Sequence, residues 1–258
     1  MHACYYNANV QGVYAQQGSS VTTTTHTLTF PPPPPYPHQI LSLNCLISAY
    51  ALSVLHHRGF RMSDTQATAT GLATAALFLF VSFSQPLSKL APQRPPPSAL
   101  APSVLLSVLF QFLMHLQTII KGFALSQAAS TDEPEPEADA EFEPSLTNTV
   151  LFLLSTAMLL TTFGVNYTGK PYMASLTSNK GLAITLLSAG ALVILLTSGA
   201  LPSLEAYLEL RPLPTAEAMK AGSSESGAGL GSDLLNLMLV DFAVCLAVEK
   251  GTSRLFSY

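Results

Sequence analysis

Long apolar segments alternate with short polar ones along most of this chain. Five windows contain no Lys, Arg, Asp or Glu: residues 1–57, 65–88, 95–120, 144–169 and 181–204. A helix needs about 20 apolar residues to cross the hydrocarbon core of a bilayer. Each window holds at least one such segment, and a shorter apolar segment, LLNLMLVDFAVCLAVEK, surrounds Asp241. The pattern therefore predicts several membrane-spanning helices.

We predict six of these helices, with polar connectors between them. The predicted spans are 39–57, 63–84, 103–125, 144–166, 181–201 and 233–250. One connector is proline-rich, APQRPPPSALAPS, and another is acidic, STDEPEPEADAEFE, and neither composition favours a helix. Ser63 or Asp64 can cap the second helix. The predicted fold is all-α, a polytopic membrane helix bundle.

The two ends of the chain differ from the bundle. Residues 1–38 are polar and Thr-rich and then contain five consecutive prolines at 31–35, which favour a stiff polyproline II segment. No basic segment followed by an apolar one opens the chain, so we predict no signal peptide. We predict a disordered head over 1–38 and a short tail over 251–258.

Composition supports a membrane class. Of the 258 residues, 48% are hydrophobic and 10% are charged, whereas about 25% are charged in a typical soluble domain. The formal net charge is −4 and no basic stripe exists, so nucleic acid is not an expected partner. The main expected partner is the lipid bilayer.

Candidate chemistry is sparse. Cys4, Cys45 and Cys245 lie far apart, in no disulfide framework and in no zinc-site spacing. The pair His56 and His57 offers too few ligands for a metal. No P-loop or Gly-rich phosphate-binding motif is present, so we predict no catalytic residue, no metal and no cofactor within this chain.

The connectors between the predicted spans fall into two sets, one on each side of the membrane. One set holds six basic residues, Lys89, Arg94, Lys170, Lys180, Lys250 and Arg254, and a single acid, Glu249. The other set holds five basic residues, Arg58, Arg61, Lys121, Arg211 and Lys220. Six against five is no clear excess of Lys and Arg on one side. The second set also carries nearly all the acids, although acids contribute little to orientation. On this charge difference we assign the first set to the cytosol, so both termini are predicted to be cytosolic.

Asp241 is the most unusual residue of the spans. A central Asp costs about 2.5–3.5 kcal/mol on translocon scales, so it should face the bundle. Two interpretations stay open: Asp241 is a coupling or ion-pathway acid, or it makes a structural hydrogen bond to another helix. The other candidate polar residues of the groove or bundle are Asn44, Asp64, Gln66, His115 and Asn166.

Three further features bear on these residues. Gln111 and His115 are four residues apart and therefore share one helix face. Small residues crowd the second span, ATATGLATAA, where they allow close helix packing or line a substrate groove. The sequence NYT at 166–168 is a glycosylation sequon, which in the predicted orientation faces the cytosol and stays unmodified.

Seven motifs occur in one order along the chain. They are ILSLNCLISAYALSVL, SDTQAT, PLSKLAPQRP, FQFLMHL, FEPSLTNT, TTFGVNYTGKPYMASLTSNKG and LMLVDF. Together, over roughly residues 39–250, they resemble the carboxy-terminal membrane region of the type V, subgroup A, P-type ATPases, which are endoplasmic-reticulum transmembrane-helix dislocases. Each motif alone is modest, whereas the ordered series is specific.

The resemblance implies a function. The six spans would correspond to the fifth to tenth helices of a ten-helix transport core in the endoplasmic-reticulum membrane. The family hydrolyses ATP with magnesium through an aspartyl-phosphate and extracts mistargeted transmembrane helices through a laterally open groove. Transport of a cation-like substrate is the other expectation for this membrane domain. The second span would border that groove, and Asp241 would lie in the last helix, where packing is favoured over transport.

The departures from the family are large. The motifs DKTGT, TGES and GDG are absent from this chain, as are the first four family helices and the catalytic domains, so the chain alone should be inactive. A fragment or truncated gene model is favoured over a distinct small protein. The alternatives are a stand-alone membrane scaffold or accessory subunit without catalysis, and a small six-helix transporter. A transporter should have paired intramembrane ionisable groups or inverted repeats, and the sequence indicates one acid, one His and no repeat.

Overall fold

The computed structural model describes residues 36–57, 59–85, 87, 100–130, 142–167, 169, 173–215 and 229–256, which lie in one compact unit. Its helices are α1 (Tyr36–His57), α2 (Asp64–Ser82), α3 (Pro102–Ala129), α4 (Leu146–Asn166), α5 (Lys180–Thr197), α6 (Pro202–Tyr207) and α7 (Leu230–Leu255). Six of these, all except α6, are long and apolar enough to cross a membrane. The prediction of an all-α bundle with six spans is confirmed.

The predicted boundaries at the start of the bundle need small corrections. The predicted head covers 1–38, but α1 already begins at Tyr36, directly after the proline run. The rest of the head lies outside the described residues. Ser63, the first of the two predicted caps, accepts a hydrogen bond from the backbone N–H of Thr65 at the start of α2. Asp64 lies exposed in the first turn of that helix.

The fifth span is shorter than predicted because a glycine ends it. The prediction extends to residue 201, but α5 ends at Thr197. Gly199 has φ +72°, and the backbone N–H groups of Gly199 and Ala200 donate to Leu196 and Leu195. This is the Schellman pattern, in which a left-handed glycine satisfies the last carbonyls of a helix. The apolar residues that follow, including Leu201, therefore lie outside the span.

The region after α5 also differs from the prediction. Residues 202–231 are predicted as a loop, but Pro202 opens the short helix α6, since proline has the dihedral that a first helical turn requires. The last span is predicted at 233–250, whereas α7 runs from Leu230 to Leu255 and includes most of the predicted tail. The apolar segment of α7 ends near residue 250, where polar residues follow. The helix itself continues, because no Pro and no left-handed Gly interrupts it between residues 250 and 255.

Helix α4 lies at the centre of the bundle. Its span window is 78% buried, against 11% for α2 and 17% for α7. One apolar cluster joins α4 to α1, α3 and α7 and includes Leu43, Ile119, Leu154 and Leu234. A second cluster, centred on Phe163, joins α4 to α1, α2 and α5. The remaining helices thus surround α4 and present their outer faces to lipid.

Candidate functional site

Two polar stripes face each other between α3 and α7, which pack extensively against one another. The α3 stripe contains Ser107, Gln111 and His115. The α7 stripe contains Asp241, Cys245 and Glu249. Each stripe repeats every four residues, the spacing that places side chains on one helix face. His115 contacts Asp241 and Ser107 contacts Glu249, so the two helices are antiparallel and the stripes meet in two clusters.

The mid-span cluster consists of His115, Thr118, Asp241 and Cys245. His115 Nδ1 lies 2.9 Å from Asp241 Oδ1, and the Thr118 hydroxyl donates to the same oxygen over 2.9 Å. His115 Nε2 lies 3.7 Å from Cys245 Sγ. The structure therefore brings together two predicted polar residues, His115 and Asp241, that are 126 positions apart in the sequence.

Asp241 is buried in the bundle and does not face lipid. It is 2% exposed and lies about 16 Å along α7 from Leu230, within a helix that is long and apolar enough to cross a hydrocarbon core about 30 Å thick. A carboxylate there is stable only when hydrogen-bond donors replace the lost water. Thr118 and His115 supply those donors, so the structure gives Asp241 a hydrogen-bonded place between two helices.

The helix-end cluster consists of Gln39, Ser107, Gln111, Asn166 and Glu249. Gln39 Nε2 lies 2.7 Å from Asn166 Oδ1, 3.0 Å from Glu249 Oε2 and 3.1 Å from Ser107 Oγ. The Ser107 hydroxyl donates to Glu249 Oε2 over 2.6 Å. Gln111 donates to Asn166 over 2.9 Å, and Asn166 donates back to Gln111 over the same distance. Four transmembrane helices, α1, α3, α4 and α7, are joined at this point.

The buried position of Glu249 corrects the interpretation of this residue from the sequence. The sequence interpretation counted it as the single acid of the first connector set, yet it is 9% exposed and accepts hydrogen bonds from three side chains inside the bundle. The described residues thus contain three buried carboxylates, Glu205 on α6 and Asp241 and Glu249 on α7, whereas the sequence indicated a single intramembrane acid. Asp241, Cys245 and Glu249 are four residues apart, and this spacing indicates that they share one helix face. Because Lys250 is adjacent, Glu249 was interpreted as part of a polar connector instead.

A third polar contact fixes the first turn of α2 and is called the α2 anchor here. Gln66 Nε2 donates to Asn148 Oδ1 over 2.8 Å and to the carbonyl of Leu208 over 3.0 Å. Glu209, which follows α6 with φ 53°, accepts hydrogen bonds from Ser63 and Thr65. A carboxylate at a helix N-terminus is favoured by the helix dipole. The anchor therefore holds the α2 start against α4 and α6.

Two of the predicted residues, Asn44 and Asp64, lie apart from these clusters, and Asn166 also belongs to the glycosylation sequon. Asn44 is half-buried on α1, and its side chain has no hydrogen-bond partner among the described residues. Asp64 is exposed at the α2 start. Asn166 is fully buried, and its side-chain nitrogen donates to Gln111 and to the carbonyl of Thr162. A glycan cannot reach that nitrogen, so this structure disfavours modification at the sequon.

The small residues of α2 form an exposed face, called the α2 face here. It contains Ala67, Thr68, Gly71, Leu72 and Ala75. Leu72 is 67% exposed, and a Cβ atom added at Gly71 would meet nothing within 4 Å. No helix of the described part of the chain packs on this face. Of the two roles predicted for the small residues, close helix packing is not realised there by any described helix.

Comparison with known proteins places this bundle among P-type ATPases. The chain is 35% identical over 214 residues, 82% of its length, to the probable manganese-transporting ATPase PDR2 of Arabidopsis thaliana. It is 36% identical over 176 residues, 68% of its length, to the endoplasmic reticulum transmembrane helix translocase of Saccharomyces cerevisiae. It is 34% identical over 221 residues, 85% of its length, to the protein of the same name in Schizosaccharomyces pombe. The resemblance to type V, subgroup A, P-type ATPases is confirmed.

The match covers the membrane region of these type V ATPases and little else. The chain spans between 14% and 17% of the length of the relatives, at their carboxy-terminal part. The six long apolar helices agree with a membrane-domain portion of such an ATPase. No protein-family model matches the chain.

Proposed function

We propose that this chain is the part of an endoplasmic-reticulum helix-dislocating ATPase that supports one wall of a groove for substrate helices. In the complete enzyme, catalytic domains would hydrolyse ATP with magnesium and drive extraction of mistargeted transmembrane helices. Both termini of the chain would face the cytosol. The proposal rests on its similarity to two yeast translocases together with the exposed α2 face.

The α2 face has the chemistry that a transmembrane-helix substrate needs. In a bilayer, helices associate through close packing at small residues, since lipid tails are as apolar as Leu. Ala67, Thr68, Gly71 and Ala75 provide a shallow surface on which a second backbone can approach closely. The α2 anchor and the Phe163 cluster hold the opposite side of the helix, so the face can stay open while α2 stays in place.

The test uses a chimera in which residues 36–256 replace the aligned segment of the Saccharomyces cerevisiae translocase. The chimera should extract a misinserted transmembrane helix from microsomes in an ATP-dependent manner. Gly71→Phe should lower the extraction rate about tenfold or more, because its ring occupies space that a substrate helix needs. ATP hydrolysis should change by less than about twofold, because α2 packing is untouched on its buried side.

The matched control is Gly190→Phe on α5. Gly190 also has nothing within 4 Å of an added Cβ, but it lies on a different helix. Extraction should survive this substitution. Equal loss in both variants, or full extraction with Gly71→Phe, would refute the assignment of the groove. A chimera that folds and hydrolyses ATP but extracts nothing would favour the stand-alone scaffold.

A further inference from the structure

The mid-span cluster has the composition of a metal site. The ligand atoms of His115, Asp241 and Cys245 all lie within 4.8 Å of one another, and all three residues are buried. Imidazole, thiolate and carboxylate are the ligand types of Zn²⁺ in proteins. We propose that His115 Nε2 and Cys245 Sγ bind a borderline divalent cation such as Zn²⁺ between α3 and α7, with Asp241 holding the imidazole in place, independently of the proposed translocase function.

The separation of two ligand atoms fits this ion. Zn²⁺ binds a His nitrogen at about 2.0–2.1 Å and a Cys sulfur at about 2.3 Å, so a tetrahedral angle places the two atoms roughly 3.6 Å apart. His115 Nε2 and Cys245 Sγ are 3.7 Å apart. The two atoms therefore already have about the separation that a bridging ion requires.

The surroundings prepare the imidazole to bind a metal. Since a carboxylate accepts hydrogen bonds, the contact with Asp241 assigns the hydrogen to His115 Nδ1 and leaves the Nε2 lone pair directed at Cys245. Metal-binding His residues nearly always donate their other N–H to a carboxylate or carbonyl in this way. Thr118 donates to the same carboxylate oxygen and holds it in place.

Charge balance also favours a divalent ion over a monovalent one. On binding, the Cys245 sulfur forms a bond to the ion, and the thiol proton passes to a water molecule that enters with the hydrated ion and leaves with it. The thiolate and the Asp241 carboxylate then compensate the two positive charges, and a neutral complex is the form that a low-dielectric interior tolerates. Thiolate and imidazole favour Zn²⁺ and Co²⁺ over Mn²⁺, Mg²⁺ and Ca²⁺, which prefer oxygen.

The test is a Co²⁺ titration of the full chain in nanodiscs, followed by absorption spectroscopy. Bound Co²⁺ should show a thiolate charge-transfer band in the near ultraviolet together with the visible bands of a tetrahedral ion, with one ion per chain. Zn²⁺ should displace the signal and Mn²⁺ should not. Cys245→Ser should abolish the charge-transfer band, and Asp241→Asn should weaken Co²⁺ binding about 10- to 100-fold.

Cys45 provides the matched control. It is exposed on α1, so the Cys45→Ser variant, made together with Cys4→Ser, should keep the full Co²⁺ spectrum. A spectrum that survives Cys245→Ser, or one that Mn²⁺ displaces as well as Zn²⁺, overturns the proposal. If Cys245→Ser fails to fold, Cys245→Ala is used in its place, because it removes the thiol without adding a hydroxyl to a buried position. It should also abolish the charge-transfer band, and a band that survives overturns the proposal.

Discussion

Replacing Phe163 by alanine should lower the free energy of unfolding of the bundle by about 3–5 kcal/mol. The side chain is 0% exposed, and its ring meets Phe78 of α2 edge to face, with the ring centroids 4.9 Å apart. Its removal leaves a cavity between α1, α2, α4 and α5 that rigid helices cannot close. Equilibrium unfolding in mixed micelles measures this loss.

A matched substitution separates packing from lipid contact. Leu187 on α5 is 75% exposed, so Leu187→Ala removes apolar surface that does not pack against other helices. This substitution should change the free energy of unfolding by less than about 0.5 kcal/mol. Similar losses for Phe163→Ala and Leu187→Ala would mean that α4 is not the centre of the bundle. The arrangement described here would then be wrong at its core.

Replacing Asp241 by leucine should cost about 2–3 kcal/mol of unfolding free energy. The change removes the acceptor of two hydrogen bonds, from Thr118 and His115, and leaves buried donors without a partner between two helices. Within membranes a single side-chain hydrogen bond averages about 0.6 kcal/mol and reaches about 1.7 kcal/mol, so most of the loss comes from the donors left unpaired. The same unfolding assay measures this cost.

The control for this prediction is Asp241→Asn. It keeps an oxygen at the acceptor position and a similar volume, so it should cost less than about 1 kcal/mol. Double-mutant cycles between Asp241→Leu and His115→Leu should show a coupling energy of at least about 0.5 kcal/mol. A leucine variant as stable as the unmodified chain would show that Asp241 is not bound by these donors.

The spans follow from the sequence because the bilayer imposes its own length scale. Charge depletion over about 20 residues is a local property, so all six spans are visible without a structure. Three helix ends were misplaced by four or five residues, those of α3, α5 and α7, and α3 runs to Ala129 instead of 125. Helix α5 ends at Thr197, four residues before the predicted end of that span, because Gly199 terminates it. Helix α7 continues through GTSRL because polar residues can end a membrane span without ending the helix.

The polar clusters were only partly predictable. Asp241, His115, Gln66 and Asn166 stand out because each is polar within an apolar segment. Their partners could not be deduced, since the contact between His115 and Asp241 joins residues 126 positions apart and depends on the register between α3 and α7. Glu249 was overlooked because it sits beside Lys250, where sequence polarity resembles a connector.

The most direct measurement for the central claim is site-specific photo-crosslinking from the α2 face. A photo-reactive residue at Thr68 is introduced into the chimera in microsomes that contain a misinserted transmembrane helix, with the ATPase stalled before release. The account predicts a crosslink from Thr68 to that helix and none from Leu187 on α5. Equal crosslinking from both positions, or none from Thr68 while extraction proceeds, would contradict the assignment of a substrate groove to α2.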